Sequence, residues 1–293
     1  MSYVDAEIAR QPQCWADAAR VAADHAGVLP ESGERVAVVG CGTSWFMAQS
    51  YASLREAAGA GETDAFTASE FPAGRRYDRI IALTRSGTTT EVCDLLRATD
   101  IPSLAIVADD GTPAVDAADA AIVMGFASDR SVVMTSFATS CVALARASLG
   151  EDLAPVIADA RATLDAPLPV DVADCEQVTF VGQGWTVGLA NEAALKAREA
   201  ATFWAESYPA MDYRHGPISI ASTNRLVWCF GEAPAGLADQ VSATGATFID
   251  HDLDPMADLV VAQRLAIARA VRLGLNPDQP RNLSRLVVED DRA

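Results

Sequence analysis

One strand-turn-helix signature occurs twice in this chain, and it limits the folds open to it. Val36-Ala37-Val38-Val39-Gly40-Cys41-Gly42 and Val178-Thr179-Phe180-Val181-Gly182-Gln183-Gly184 are each an apolar run ending in Gly-x-Gly and leading into a helical pattern. Alanine stands at the same offset in both helices (Ala48, Ala190), and the copies lie 142 residues apart (178 − 36) in a chain of 293. A repeat of about half the length implies two similar lobes.

Further apolar runs read as strands: Ile80–Leu83, Ser103–Val107, Ala121–Met124, Leu226–Phe230 and Thr247–Ile249. They are continuous rather than alternating, as in strands covered on both faces. Helical patterns fall between them at Ser44–Ala58, Thr90–Ala98, Ser136–Ser148, Leu189–Trp204 and Met256–Leu273. The alternation predicts an α/β fold of two lobes, each a parallel sheet flanked by helices in a flavodoxin-like three-layer sandwich. The expected divisions are an N-terminal helical arm over 1–33, a first lobe over 34–165 and a second lobe with a C-terminal tail over 175–293. Helix Ile8–Ala26 forms the arm, and the Pro- and Asp-rich stretch Ala166–Asp174 is the expected linker. The second lobe is shortened, because little after Asp250 could form a fifth strand before the last helix.

Composition narrows the function. No apolar run approaches the roughly 20 residues that cross a bilayer, and the first residues lack a signal-peptide pattern. A cytoplasmic protein is expected. Six cysteines are scattered (Cys14, Cys41, Cys93, Cys141, Cys175, Cys229), without CxxC spacing or histidine neighbours. They read as reduced thiols, with no metal site. The net charge of −18 argues against nucleic acid as a partner. An anionic small molecule would need a local cradle of N–H groups, hydroxyls and a cation. Of the 22 basic residues only Lys196 is a lysine. A lone amine in a chain otherwise built with arginine is either a chance survivor or one kept for chemistry that a guanidinium cannot do.

Four segments could carry chemistry. Gly40-Cys41-Gly42-Thr43-Ser44 lets backbone approach a ligand, or is a tight turn; Trp45 occupies the place of the third glycine of a dinucleotide fingerprint. Thr84-Arg85-Ser86-Gly87-Thr88-Thr89 follows a strand and enters a helix. Its hydroxyls and N–H groups suit an anion at a helix N-terminus, whereas a plain N-cap needs one such residue, not four. Glu192, Lys196 and Glu199 share one helix face, as a surface pair or as a functional cluster. His215, in the turn Tyr213-Arg214-His215-Gly216-Pro217, is either an idle exposed side chain or a proton carrier.

These segments, with Asp278-Gln279-Pro280-Arg281-Asn282-Leu283, resemble the sugar isomerase (SIS) family over about residues 34–290. The likeness is closest to the isomerase half of glucosamine-6-phosphate synthase and its stand-alone amino-sugar-phosphate isomerase and deaminase relatives. It implies two SIS lobes and a homodimer whose active site borrows the loop histidine from the partner. It implies that Cys41, Gly42, Thr43, Ser44, Thr84, Arg85, Ser86 and Thr89 bind the sugar phosphate, with Arg85 adding charge where related synthases are neutral. Val132 and Met134 would line the sugar, and Glu192 would belong to the binding set. Glu199 would move the proton between C1 and C2, His215 would open the ring, and Lys196 or Arg285 would stabilise the oxyanion. No metal or redox cofactor is implied.

The chain departs from the synthase at two points. It has no glutaminase domain with an N-terminal cysteine nucleophile, so no glutaminase activity is expected. The lysine that forms an imine with the ketose is replaced by Arg285, which cannot form one. The expected function is a hexose- or amino-hexose-6-phosphate isomerase or deaminating isomerase. The alternative is a non-catalytic sugar-phosphate-binding regulator; the joint presence of Glu199 and His215 favours catalysis.

Overall fold

The computed structural model describes residues 2–171 and 175–283. The chain divides into two compact units. One holds residues 13–130 and 134–153 and contains the first sheet. The other holds residues 2–12, 131–133 and 154–283 and contains the second. Helix α1 (Tyr3–Asp24) contributes to both, and the division falls just after Pro12 inside it.

The first unit runs β1 (Val36–Gly40), α2 (Thr43–Ala57), β2 (Thr63–Thr67), β3 (Arg79–Leu83), α3 (Thr90–Ala98), β4 (Ser103–Val107), α4 (Pro113–Ala117), β5 (Ala120–Val123) and α5 (Ser136–Ser148). Its five strands are parallel in the order β2-β1-β3-β4-β5. The central strands β1 and β4 are buried at every position, as their continuous apolar runs require. Helix α2 packs on β1 and β2, and α5 packs on α2.

The second unit runs α6 (Ala154–Leu164), β6 (Gln177–Gly182), α7 (Thr186–Ala201), β7 (Trp204–Pro209), β8 (Arg225–Phe230), α8 (Leu237–Ser242), β9 (Thr247–Asp250) and α9 (Pro255–Arg272). Its strands are parallel in the order β7-β6-β8-β9, the order of the first sheet without its last strand. Helix α7 covers β6 and β7, and α9 packs on α7 and α6.

The repeated glycines have one cause. A Cβ on Gly40 would lie 2.7 Å from the Ser44 carbonyl carbon, and one on Gly182 would lie 2.5 Å from the Thr186 carbonyl oxygen. In both units the helix starts hard against the strand end, where only glycine fits.

Five elements lie outside the sequence expectation, namely β2, β7, α4, α6 and α8, and helices α1 and α7 change bounds. Strands β2 and β7 are edge strands with mostly half-exposed residues, so they carry no continuous apolar run. Helix α6 has its signals, Pro155 in the first turn and buried Val156, Ala160 and Thr163 on one face. The helix expected over Leu189–Trp204 stops at Ala201 because Thr202 turns left-handed (φ 47°), and Trp204 opens β7 instead. Helix α1 starts at Tyr3 rather than Ile8: Ser2 and Asp5 cap it reciprocally, with the Asp5 N–H on Ser2 Oγ at 3.2 Å and the Ser2 N–H on Asp5 Oδ2 at 3.0 Å, and Asp278 accepts the Tyr3 and Val4 N–H groups at 2.8 and 2.9 Å. The second of these caps comes from 275 positions away and leaves no local signal.

Candidate functional site

In the first sheet the strand order reverses between β1 and β3, where open parallel sheets bind ligands beyond the strand ends. The two hydroxyl-rich segments meet that description. Thr43 and Ser44 open α2, and both are buried. Residues 84–89 join β3 to α3, with Thr84 almost fully buried. Their hydroxyls bond one another: Thr84 Oγ1 lies 3.0 Å from Thr89 Oγ1, and Thr88 Oγ1 donates to Ser86 Oγ at 2.9 Å. Thr89 occupies the N-cap position of α3 but makes no side-chain cap bond. The loop is therefore more than a plain cap.

Gly87 holds the loop in shape. Its φ is +64°, and a Cβ there would meet Thr112 Oγ1 at 1.9 Å. The Gly87 carbonyl is fixed by the Ala114 N–H at 2.9 Å, and the Arg85 carbonyl by the Ala108 N–H at 2.9 Å. Cys41 is half-buried, and burial pushes its thiol above the ordinary cysteine pKa. A thiol raised in this way is a poor nucleophile.

The second unit repeats the topology but not the run of hydroxyls. Gly231, Glu232, Ala233, Asp250, His251, Asp252 and Leu253 line a cavity of about 420 Å3 past the ends of β8 and β9. Three carboxylates there disfavour a phosphate.

What the second unit does offer lies on α7. Glu192 is fully buried and Lys196 nearly so. Lys196 Nζ donates to Glu199 Oε2 at 2.5 Å and stands 3.6 Å from Glu192 Oε1. The surface-pair alternative is thereby excluded. Of the three side chains Glu199 is the most open, at 17% against 3% and 0%. It lines a cavity of about 250 Å3 with Ala200, Thr202, Gly274, Leu275, Asn276, Gln279, Pro280 and Arg281. The Asp278–Leu283 motif thus forms part of the wall of the cavity that Glu199 lines. Arg281 was expected only as part of that motif; its place in the wall adds a cation within the same unit.

His215 ends the short turn Asp212–His215 after β7. Tyr213 anchors that turn: its ring is fully buried 6.1 Å from Tyr208, and burial lifts its hydroxyl to about 12. His215 itself is exposed, and its side chain makes no hydrogen bond or ion pair among the described residues. In segment 131–134, Ser131 and Val133 are buried, while Val132 and Met134 stay partly open. Asp129 follows no motif, yet its buried carboxylate accepts the N–H groups of Thr135, Ser136 and Phe137 at 3.0–3.2 Å and so fixes the start of α5. Asp seven residues before a helical pattern is too loose a spacing for a cap signature. Arg285 lies outside the described residues. Among the described residues no group of three or more His, Cys, Asp or Glu is arranged to hold a metal ion, and no helix is long and apolar enough to cross a membrane.

Comparison with known proteins accords with this geometry. No family model matches the chain. It is 27% identical to a glutamine–fructose-6-phosphate aminotransferase (isomerizing) of Methanothermobacter thermautotrophicus, over 89% of this chain and 53% of that protein. It is 25% identical to the enzyme of the same name from Yersinia pseudotuberculosis, over 87% and 51%. The chain thus spans about half the length of these curated relatives. Among solved structures, glucosamine-6-phosphate deaminase of Thermotoga maritima superposes with a TM-score of 0.81 at 24% identity, covering 97% of this chain and 98% of that one. Tagatose-6-phosphate ketose/aldose isomerase of Escherichia coli gives 0.78 at 21%, covering 100% and 97%. At these identities the superpositions fix the fold. Relatives and fold neighbours alike are of the sugar isomerase kind that the motifs resemble.

Proposed function

We propose that this chain catalyses aldose–ketose isomerisation of a hexose or amino-hexose 6-phosphate, and with an amino sugar releases ammonia. The observation that carries the proposal is the buried Glu192–Lys196–Glu199 cluster with Glu199 opening on a walled cavity. Two carboxylates and one ammonium out of water cost more in desolvation than an apolar trio would. A surface ornament is not built that way, and a protein that only bound phosphate would need no such base.

In this reading the phosphate rests on Thr43, Ser44, Thr84, Arg85, Ser86 and Thr89, where hydroxyls and α3 N–H groups favour an anion despite the net charge. His215 protonates the ring oxygen and opens the sugar. The Lys196 ammonium orients Glu199, which takes the C2 proton and returns it to C1 through a cis-enediol or enolamine. Lys196 or Arg285 stabilises charge developing on oxygen. With an amino sugar, proton transfer leaves an imine at C2; water adds there and ammonia leaves, giving the ketose phosphate. Such a substrate brings its own nitrogen and needs no lysine imine, which suits Arg285. His215, exposed on its turn, serves the site of a second copy in a homodimer.

The test is to incubate the protein with glucosamine 6-phosphate, galactosamine 6-phosphate and fructosamine 6-phosphate, measuring ammonia and ketose phosphate. Turnover of at least one is expected. Folded protein that turns over none would refute the deaminating form.

A further inference from the structure

We infer that the first two turns of α1 are a positioning element of the sugar site. They set the wall of the Glu199 cavity and the segment 131–133 in one register, with Asp278 and Glu7 as positioning residues. This rests on the proposed function for its activity readout, but its geometry is independent of it.

The start of a helix leaves its first N–H groups without intrahelical partners. On α1 two of them, from Tyr3 and Val4, are taken by the two carboxylate oxygens of Asp278. Asp278 belongs to the stretch that walls the Glu199 cavity, between Asn276 and Gln279, and the Asp278 N–H is itself held by Asn276 Oδ1 at 3.1 Å. A carboxylate at a helix N-terminus is favoured by both hydrogen bonding and the dipole. The cavity wall is thus tied to the tip of α1.

Four residues after Tyr3, on the same helix face, comes Glu7. Its side chain is buried, and it faces Ser131. The Ser131 N–H donates to Glu7 Oε1 at 3.1 Å, and the hydroxyl lies against Glu7 Oε2 and 2.7 Å from the Val133 carbonyl. Both carboxylate oxygens of Glu7 therefore grip one residue of the segment whose neighbours Val132 and Met134 stay partly open. One helical turn, a stiff element, lies between the two grips. A displacement of the 274–281 wall is carried to 131–133 through it, and the reverse.

The test uses the full chain with Asp278→Asn, Glu7→Gln and Tyr3→Pro, the last removing one donor to Asp278 while keeping a helix-compatible φ. Amide hydrogen exchange is read in peptides spanning 131–133 and 274–281. Asp278→Asn should speed exchange in 131–133, which it does not touch, by about fivefold, the low end of ordinary site-to-site coupling. Glu7→Gln should do the same in 274–281. Tyr3→Pro should show a smaller shift of the same kind and, by sparing both carboxylates, guards against a variant that fails to fold. Exchange that changes only beside the substituted residue in all three variants would overturn the inference. On a sugar phosphate that the wild type converts, the variants should raise KM about fivefold and leave kcat within about twofold. Loss of stability with KM unchanged would make α1 merely structural. Should no sugar phosphate be converted, the functional reading fails while the exchange experiment still decides this one.

Discussion

Glu199 and Lys196 carry the account at the scale of single residues. Glu199→Gln keeps the size and the hydrogen-bonding capacity but removes the base, so turnover should fall about 10²- to 10⁴-fold while the melting midpoint moves little. Lys196→Met strands two carboxylates, one of them fully buried; it should destabilise by about 3–5 kcal/mol in a denaturant titration. The double variant with Glu192→Gln should recover part of that loss. At the loop proposed to hold the phosphate, Gly87→Ala forces a Cβ onto Thr112 and fixes a left-handed residue. It should weaken sugar-phosphate binding in a thermal-shift assay, and adding Thr112→Ala should restore part of it. These residues were legible in the sequence because chemistry marks them: a lone lysine, a run of hydroxyls, a glycine among them. Asp129 and Glu7 were not, since a carboxylate that bonds backbone N–H groups through space leaves no pattern in its neighbours.

Among the elements, the second sheet offers a pH test. His251 Nδ1 lies 2.6 Å from Asp258 Oδ1, and the other Asp258 oxygen accepts from Trp228 Nε1 at 2.8 Å. The hydrogen bond to Asp258 raises the His251 pKa above 6.5 despite partial burial. A raised histidine pKa means that the protonated ring stabilises the fold fully below 6.5, and the gain fades as pH climbs through the higher native value. His251→Asn removes that dependence. The melting-temperature gap between wild type and variant should be largest near pH 6 and shrink toward pH 9; a constant gap would show that no titration is involved. The pair joins the end of β9 to α9, so the test reports on how those elements are held. Elements as such were mostly legible, because buried parallel strands are continuous apolar runs. The half-exposed edges β2 and β7 have none, and the stop of α7 hangs on one left-handed threonine.

For the whole molecule, a repeated topology carries unequal chemistry. Both sheets place a Gly-x-Gly turn at their switch points, but only the first follows its next strand with hydroxyls; the second has Gly231-Glu232-Ala233 there. The duplication was legible in the sequence through the repeated Gly-x-Gly turn; the contrast between the two following loops emerges from the sheet order. The proposed dimer has its own test in mixing inactive Glu199→Gln protein with inactive His215→Asn protein. Activity should return if the histidine acts across the dimer, and it should stay absent if both groups serve the same protomer's site. The central claim is that Glu199 moves a proton on a bound sugar phosphate, and incubation in heavy water tests it most directly. Wild-type protein should place deuterium at C1 or C2 of at least one hexose or amino-hexose 6-phosphate, and Glu199→Gln should leave that sugar unlabelled. Binding without labelling across the whole panel, or equal labelling by the variant, would contradict it.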